Sequence, residues 1–203
     1  MVQHISAFNR ARDGSWLYTF TQEWPLFAQA HQLSYTVPLL GGLGQTGVGD
    51  VALNFREQLV GTEGKISLAP RVSVLLPTGN EGRGFGSGQT GLQVNVPLSI
   101  RVASHVVTHW NLGATGIPGQ HTVMNGGGSV IWELRPTFNA MLEFTWAQIE
   151  TDITEMFVNP GIRWAFNFSN GLQIVPGIAV PIGIGPSNGE RSLFLYLSFE
   201  HPF

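Results

Sequence analysis

The stretch Leu92-Gln-Val-Asn-Val-Pro-Leu-Ser-Ile-Arg-Val102 alternates strictly between apolar and other residues. Side chains of a β-strand point alternately to opposite faces, so this segment has one apolar face and one polar face. The apolar face carries Leu92, Val94, Val96, Leu98, Ile100 and Val102, and the other carries Gln93, Asn95, Pro97, Ser99 and Arg101. Its length is close to the roughly 9–11 residues that a tilted strand needs to cross a bilayer.

The same alternation recurs along the chain, and no segment shows sustained helical spacing. It predicts strands near residues 15–24, 30–40, 50–60, 65–76, 91–102, 104–115, 128–136, 138–148, 155–166, 171–182 and 192–203, with a weaker strand at 2–9. Bacterial outer-membrane barrels have an even number of strands. We therefore predict an all-β fold, a transmembrane antiparallel up-and-down β-barrel of about twelve strands, with ten or fourteen as alternatives. Residues 1–203 would form a single domain.

The connections between the predicted strands alternate in length. Short connections fall near 60–65, 102–104, 136–138 and 166–171, and longer ones rich in Gly, Asn, Ser and Pro cover 41–49, 77–90, 116–127, 149–154 and 183–191. Short turns at one end and long loops at the other are typical of outer-membrane barrels. The prolines at 38, 70, 97, 160, 176 and 181 lie inside predicted strands, where they predict bulges or gaps in pairing near the rims.

The composition excludes several classes of protein. Charged residues make up 11% of the 203 residues, against about 25% in an ordinary soluble domain. A net charge of -3 argues against nucleic-acid binding. The chain has no cysteine, so disulfides and thiolate metal sites are impossible. No cofactor is expected, and His105 and His109 lie too far apart along a strand to share one metal ion.

If the apolar rows face lipid, the polar rows line a lumen. The candidate lumen-lining residues are Arg56, Arg71, Arg101, Glu133, Arg135, Glu143, Arg163, Asn95 and Gln93. We expect Arg56, Arg71 and Arg101 to form a basic wall that faces Glu133 and Glu143, either across an open lumen or locked together as a plug. Aromatic residues near strand ends predict the interfacial girdles: Trp16, Tyr18, Phe20, Trp24, Tyr35, Trp110, Trp132, Trp146, Trp164 and Phe166.

The chain ends Ser192-Leu-Phe-Leu-Tyr-Leu-Ser-Phe-Glu-His-Pro-Phe203. This ending is similar to the terminal strand of Gram-negative outer-membrane proteins, in which the barrel-assembly machinery reads a final Phe. The resemblance implies that Leu197, Phe199 and Phe203 form an assembly signal. Met1-Val-Gln-His has neither the basic start nor the apolar stretch of a signal peptide. We expect the signal to have been removed, or the chain to be N-terminally shortened.

Three segments carry a family resemblance: His31-Gln-Leu-Ser-Tyr-Thr-Val-Pro-Leu-Leu40, Gly47-Val-Gly-Asp-Val-Ala-Leu-Asn-Phe-Arg56 and Ala69-Pro-Arg-Val-Ser-Val-Leu-Leu-Pro-Thr-Gly79. The Gly-rich stretch Asn80-Glu-Gly-Arg-Gly-Phe-Gly-Ser-Gly88 follows directly. Together they resemble the outer-membrane family associated with a phenol-degradation (meta-cleavage) pathway, best over residues 30–102. The resemblance implies a β-barrel that passes small, often aromatic or apolar compounds, and it implies no catalytic residues.

The predicted function is therefore an outer-membrane channel for passive passage of small compounds of unknown identity. Its partners would be the lipid bilayer with lipopolysaccharide, the barrel-assembly machinery and a small-molecule substrate, but no nucleic acid. One alternative is an outer-membrane lipid hydrolase or acyltransferase, which no Ser-His arrangement in the sequence supports, since Thr108 and His109 alternate in direction. Another alternative is a soluble β-sandwich that acts as a binding module.

Overall fold

The computed structural model describes residues 1–61 and 64–202, and within these ranges sixteen strands form one antiparallel sheet. The strands are β1 (Val2–Ala11), β2 (Trp16–Leu26), β3 (Ala28–Gly42), β4 (Gln45–Val48), β5 (Val51–Glu57), β6 (Ile66–Leu68), β7 (Arg71–Leu76), β8 (Gly91–Ala103), β9 (Val106–Gly116), β10 (Val123–Arg135), β11 (Phe138–Ile149), β12 (Asp152–Trp164), β13 (Phe166–Asn167), β14 (Gln173–Ala179), β15 (Ile182–Gly183) and β16 (Ser192–His201). Two single-turn 3-10 helices, Glu81–Arg83 and Gly185–Ser187, lie in loops.

The sheet closes on itself. β1 pairs with β2 and, over its whole length, with β16, while β14 pairs with both β16 and β12. β6 and β7 pair with β8 in one continuous register and form a single wall strand. β4 extends the hairpin that follows β3, and β13 and β15 are short additions beside β14 and β12. The predicted twelve-stranded barrel is confirmed, and the weak segment 2–9 is its first strand. Closure excludes the soluble sandwich.

The barrel is apolar outside and polar inside. Among the described residues the buried apolar side chains are Pro25, Ala69, Ile131 and Val175, whereas the buried polar ones are Ser34, Asn54, Ser73, Asn95, Ser129, Asn159, Ser187 and Ser198. On β8, Val94 and Val96 are each 44% exposed while the intervening Asn95 is 6% exposed. A soluble protein shows the opposite distribution. In the described parts of the chain, no helix has the length and apolar character that a membrane span requires.

The six prolines predicted to lie inside strands have two different outcomes. Pro38 lies where β3 changes partner from β5 to β4, and Pro70 separates β6 from β7. Pro160 falls between the stretches of β12 that pair with β14 and β15, and Pro181 lies between β14 and β15. Pro97 and Pro176 sit opposite Asn111 and Leu197 in unbroken register. The predicted gaps are present at four of the six positions because proline has no N–H to donate, but the bulges lie elsewhere.

Both chain termini lie at one end of the barrel, since Val2 is opposite His201. We call this the terminal end and the opposite one the loop end. The connections at the loop end include the long segment 77–90, as predicted, but Glu150 and Thr151 form a two-residue turn there. The expectation of a longer loop at 149–154 is therefore wrong. The turn is possible because Glu150 adopts a positive φ of 55°, a conformation that the sequence did not reveal.

Candidate functional site

The interior of the barrel contains connected cavities. One of about 520 Å³ lies against β11, β12, β14, β16 and β1, and one of about 430 Å³ lies against β8 to β12. A third, of about 750 Å³, lies at the loop end between Ala11–Asp13 and Gly189–Ser192. Glu155 and Phe157 line all three. These two residues therefore mark the point where the opening at the loop end meets the interior.

Two of the predicted lumen residues form a basic cluster. Arg56 and Arg71 lie directly opposite each other on β5 and β7. Nη2 of Arg56 donates to Oε1 of Glu23 at 3.0 Å, whereas the buried Nε of Arg71 has no acceptor in the described chain. Two guanidinium groups thus accompany one carboxylate, so this side of the interior is net positive.

Arg101 and Glu133 form an ion pair rather than opposite walls. Nη1 and Nη2 of Arg101 donate to Oε2 and Oε1 of Glu133 at 2.7 and 3.0 Å, in a bidentate arrangement. The two residues lie on β8 and β10, separated only by β9. The expectation that Glu133 faces the basic wall across the lumen is wrong in this respect. Strands two apart in a sheet are about 9–10 Å from each other, a gap that the long side chains of arginine and glutamate can close.

The acidic side of the interior is built by β11 and β12. Glu143 lies opposite Asn159, whose Nδ2 donates to its Oε2 at 3.1 Å. Arg163 is opposite Asn139 farther toward the terminal end, and it lines the 520 Å³ cavity together with Glu143. Glu155, which the sequence analysis did not single out, belongs to the same wall. The signal that could have identified Glu155 in the sequence is its position on the polar face of an alternating strand.

The remaining predicted residues occupy different environments. Gln93 donates to Oγ1 of Thr115 at 2.9 Å, and the buried Asn95 accepts a hydrogen bond from Asn111 at 3.2 Å. Arg135 follows a register shift in β10 and is exposed at the terminal end. Leu197 and Phe199 lie on β16 opposite Ser6 and His4 of β1. Phe203 lies outside the described residues.

One Ser-His pair was missed by the sequence analysis. Oγ of Ser99 and Nδ1 of His109 lie 2.6 Å apart, because β8 and β9 place these residues opposite each other. The pair faces the interior, in the same row as Asn95 and Asn111. Within the described chain, no three His, Asp or Glu residues are grouped closely enough to bind a metal ion.

The long loop 77–90 is fixed to the start of β5. The carboxylate of Asp50 accepts hydrogen bonds from the amides of Gly79 and Ser87 and from the Ser87 hydroxyl, at 2.9, 2.7 and 2.6 Å. Thr78 adds a second connection, since its Oγ1 accepts from the amide of Val51 and donates to the carbonyl of Gly49. The loop is thus an ordered part of the loop end.

Phe85 explains part of the glycine pattern in this loop. Its ring lies against Gly47 of β4 so closely that any side chain there would overlap it. The guanidinium of Arg83 lies over the same ring, 5.2 Å from its centre. A side chain at Gly79 would overlap the carbonyl of Phe85. The glycines therefore permit close packing rather than flexibility.

The fold is similar to that of solved outer-membrane channels. The COG4313 outer membrane channel from Pseudomonas putida F1 matches with a TM-score of 0.68 and 13% identity, over 98% of this chain and 93% of that one. The KdgM porin in complex with disordered oligogalacturonate matches with a TM-score of 0.65 and 9% identity, over 99% and 100% of the two chains. The CymD monoaromatic hydrocarbon channel matches with a TM-score of 0.54 and 7% identity, over 100% of this chain and 88% of that one. No family model and no curated protein sequence matches the chain. The chain thus has the fold of these outer-membrane barrels.

Proposed function

We propose that this protein is a bacterial outer-membrane channel for passive passage of small aromatic or apolar compounds. The observation that carries the proposal is a closed wall, apolar outside and polar inside, around connected cavities. An apolar exterior of this kind is stable in lipid, where a closed barrel satisfies every backbone hydrogen bond. The bilayer and lipopolysaccharide would then contact the exposed rows, and the barrel-assembly machinery would read the terminal strand with Leu197, Phe199 and Phe203.

Several features support a small and partly apolar solute. The 520 Å³ cavity is lined by Met141, Phe157, Phe194 and Tyr196 beside its polar groups. Its volume lies in the range of sites that hold small molecules. The resemblance of residues 30–102 to the family of the phenol-degradation pathway favours aromatic solutes, and one protein of similar fold is a monoaromatic hydrocarbon channel.

A channel is favoured over a lipid hydrolase. The pair of Ser99 and His109 faces the polar interior, whereas lipid acyl chains would meet the outer face of the wall. A solute inside the barrel would reach this pair, but a membrane lipid would not.

Planar-bilayer recordings test the proposal. The purified protein should form discrete conducting units, and an Arg56→Gln, Arg71→Gln variant should shift ion selectivity toward cations, because it makes the basic side net negative. An Arg101→Gln, Glu133→Gln variant is the matched control. It removes one charge of each sign from an existing ion pair, so selectivity should stay unchanged. A protein that inserts but does not conduct would contradict the channel function.

A further inference from the structure

We propose that β11 and β12 hold a binding site for a small aromatic ammonium ion inside the barrel, formed by Glu143, Glu155, Phe157 and Asn159. The inference rests on the proposed channel function, which it deepens by naming a class of solute. Glu155 and Phe157 lie where the loop-end cavity meets both interior cavities. A solute that enters from the loop end therefore passes this site.

The strand register places an aromatic ring between two carboxylates. Glu155, Phe157 and Asn159 alternate on β12 and so share one face, with successive side chains about 7 Å apart. Asn159 is directly opposite Glu143, and Phe157 is directly opposite Thr145. Glu143 is thus a diagonal neighbour of Phe157, within reach of a bound solute. An aromatic face flanked by carboxylates is suited to a cation.

Neither carboxylate of this site has a close cationic partner in the described structure. Neither Glu143 nor Glu155 has a cationic group within 4.0 Å in the described structure, where the ion pairs of the other acids are His31–Glu57, Arg56–Glu23, Arg101–Glu133 and His121–Glu150. Arg163 also lines the cavity, but it forms no ion pair with either carboxylate in the described structure. A cationic solute would supply the missing charge.

Two amide oxygens also lack donors. Asn159, which is 8% exposed, donates through Nδ2 to Glu143 and to Thr145 Oγ1 at 3.1 and 3.4 Å. Its Oδ1 and that of Asn9 have no donor among the described groups, and both residues line the 520 Å³ cavity. Unsatisfied buried acceptors are costly. An ammonium group offers three N–H donors to carboxylate and amide oxygens.

The apolar part of the lining selects the body of the solute. Met141, Phe194 and Tyr196 complete the cavity around Phe157. A benzyl-sized ring can occupy this surface while its ammonium group reaches one of the two carboxylates, because Glu143 and Glu155 lie on either side of Phe157. An anion of the same shape would instead meet two negative charges, and a neutral analogue would leave both of them uncompensated.

Binding to the purified barrel in uncharged detergent tests the inference without requiring conductance. Titration calorimetry would compare benzylammonium with benzyl alcohol and benzoate, which have similar bodies but different charges. We expect saturable binding of benzylammonium alone. A Glu143→Gln, Glu155→Gln variant should bind it about tenfold or more weakly, given the strength of charged hydrogen bonds. Glu200→Gln is the matched control, because Glu200 lies on β16 in the interior near the terminal end.

Each outcome decides the proposal. Equal binding of benzoate, or unchanged binding in the folded double variant, would overturn it. Heat-modifiable migration on gels establishes that a variant is folded. Since Glu155 is exposed, Glu155→Gln alone should fold even if the double variant does not, and it should also weaken binding. Benzylammonium binding by a barrel that never conducts would retain the site and reject the channel function.

Discussion

The carboxylate of Asp50 accepts two hydrogen bonds from Ser87, a residue 37 positions away, through its amide at 2.7 Å and its hydroxyl at 2.6 Å. The amide of Gly79 donates a third at 2.9 Å. Burial raises the pKa of Asp50, but the hydrogen bonds from Ser87 and Gly79 outweigh it and hold the pKa below the usual aspartate value. One carboxylate thus fixes both halves of the loop 77–90 at the mouth of the barrel.

Replacing Asp50 with asparagine should loosen this loop. The amide of asparagine offers one acceptor oxygen in place of two and carries no charge, and hydrogen bonds to charged groups contribute about 1.5–3 kcal/mol each. Trypsin should then cleave after the exposed Arg83 faster than in the unchanged protein, while the barrel stays intact. Ser87→Ala removes one of the three bonds and should give an intermediate rate. Equal cleavage rates in all three proteins would contradict the role of Asp50.

The same carboxylate predicts a dependence on pH. Because the pKa of Asp50 is lower in the folded loop than in an unfolded chain, the stabilisation is present at neutral pH and is lost as the pH falls through the folded value. Protection of the loop should therefore be constant near neutrality and decrease only in acid, below the ordinary aspartate range. Hydrogen exchange of the Ser87 amide measures it. Asp50→Asn should abolish this loss of protection in acid. If the loss persists in the variant, a group other than Asp50 causes it.

The exposed row of β8 predicts that an arginine substitution destabilises the barrel more in the middle of the bilayer than near its surface. Val96 lies in the middle of the strand and Leu92 at its loop end, and they are 44% and 58% exposed on the same face. Val96→Arg should make folding into lipid less favourable by about 2–4 kcal/mol, and Leu92→Arg by only about 0–1 kcal/mol, because an arginine near the interface reaches water. Refolding titrations into lipid vesicles compare the two. Equal costs would show that this row does not cross the bilayer.

Alternation was sufficient to predict most of the fold. In β8 every second residue from Leu92 to Val102 is apolar, and a one-residue register error would reverse both faces, so the pattern fixes strand and face together. The prediction of a closed barrel of twelve strands followed from counting these segments, because bacterial barrels have an even number of strands. The turn at Glu150 and Thr151 could not be found this way, because its positive φ depends on the geometry of the two strands it joins.

The interior contacts were less accessible to sequence reasoning. The pattern places Arg101 and Glu133 on the inner face, but their pairing depends on the registers of β8 with β9 and of β9 with β10, which no single strand encodes. The pair of Ser99 and His109 likewise depends on the register between β8 and β9. Asn95 lies on the inner face, as the pattern predicts, but it is also buried and hydrogen-bonded. An arginine at this position would therefore be more disruptive than its place in a polar row suggests.

Close packing inside the wall predicts that a side chain added at Gly113 destabilises the barrel. A side chain at Gly113 on β9 would overlap Oδ1 of Asn95 and lie 2.9 Å from Oδ1 of Asn125, so Gly113→Ala must displace one of these asparagines. Overpacking of this kind costs about 1–3 kcal/mol. Gly116→Ala is the matched control, because Gly116 ends the same strand and its added carbon would meet nothing within 4 Å. Urea unfolding from vesicles should show a lower midpoint for Gly113→Ala only. If both variants unfold at the same concentration, the asparagines on β8 and β10 have room to move aside, and the interior at this level is more open than the structure indicates.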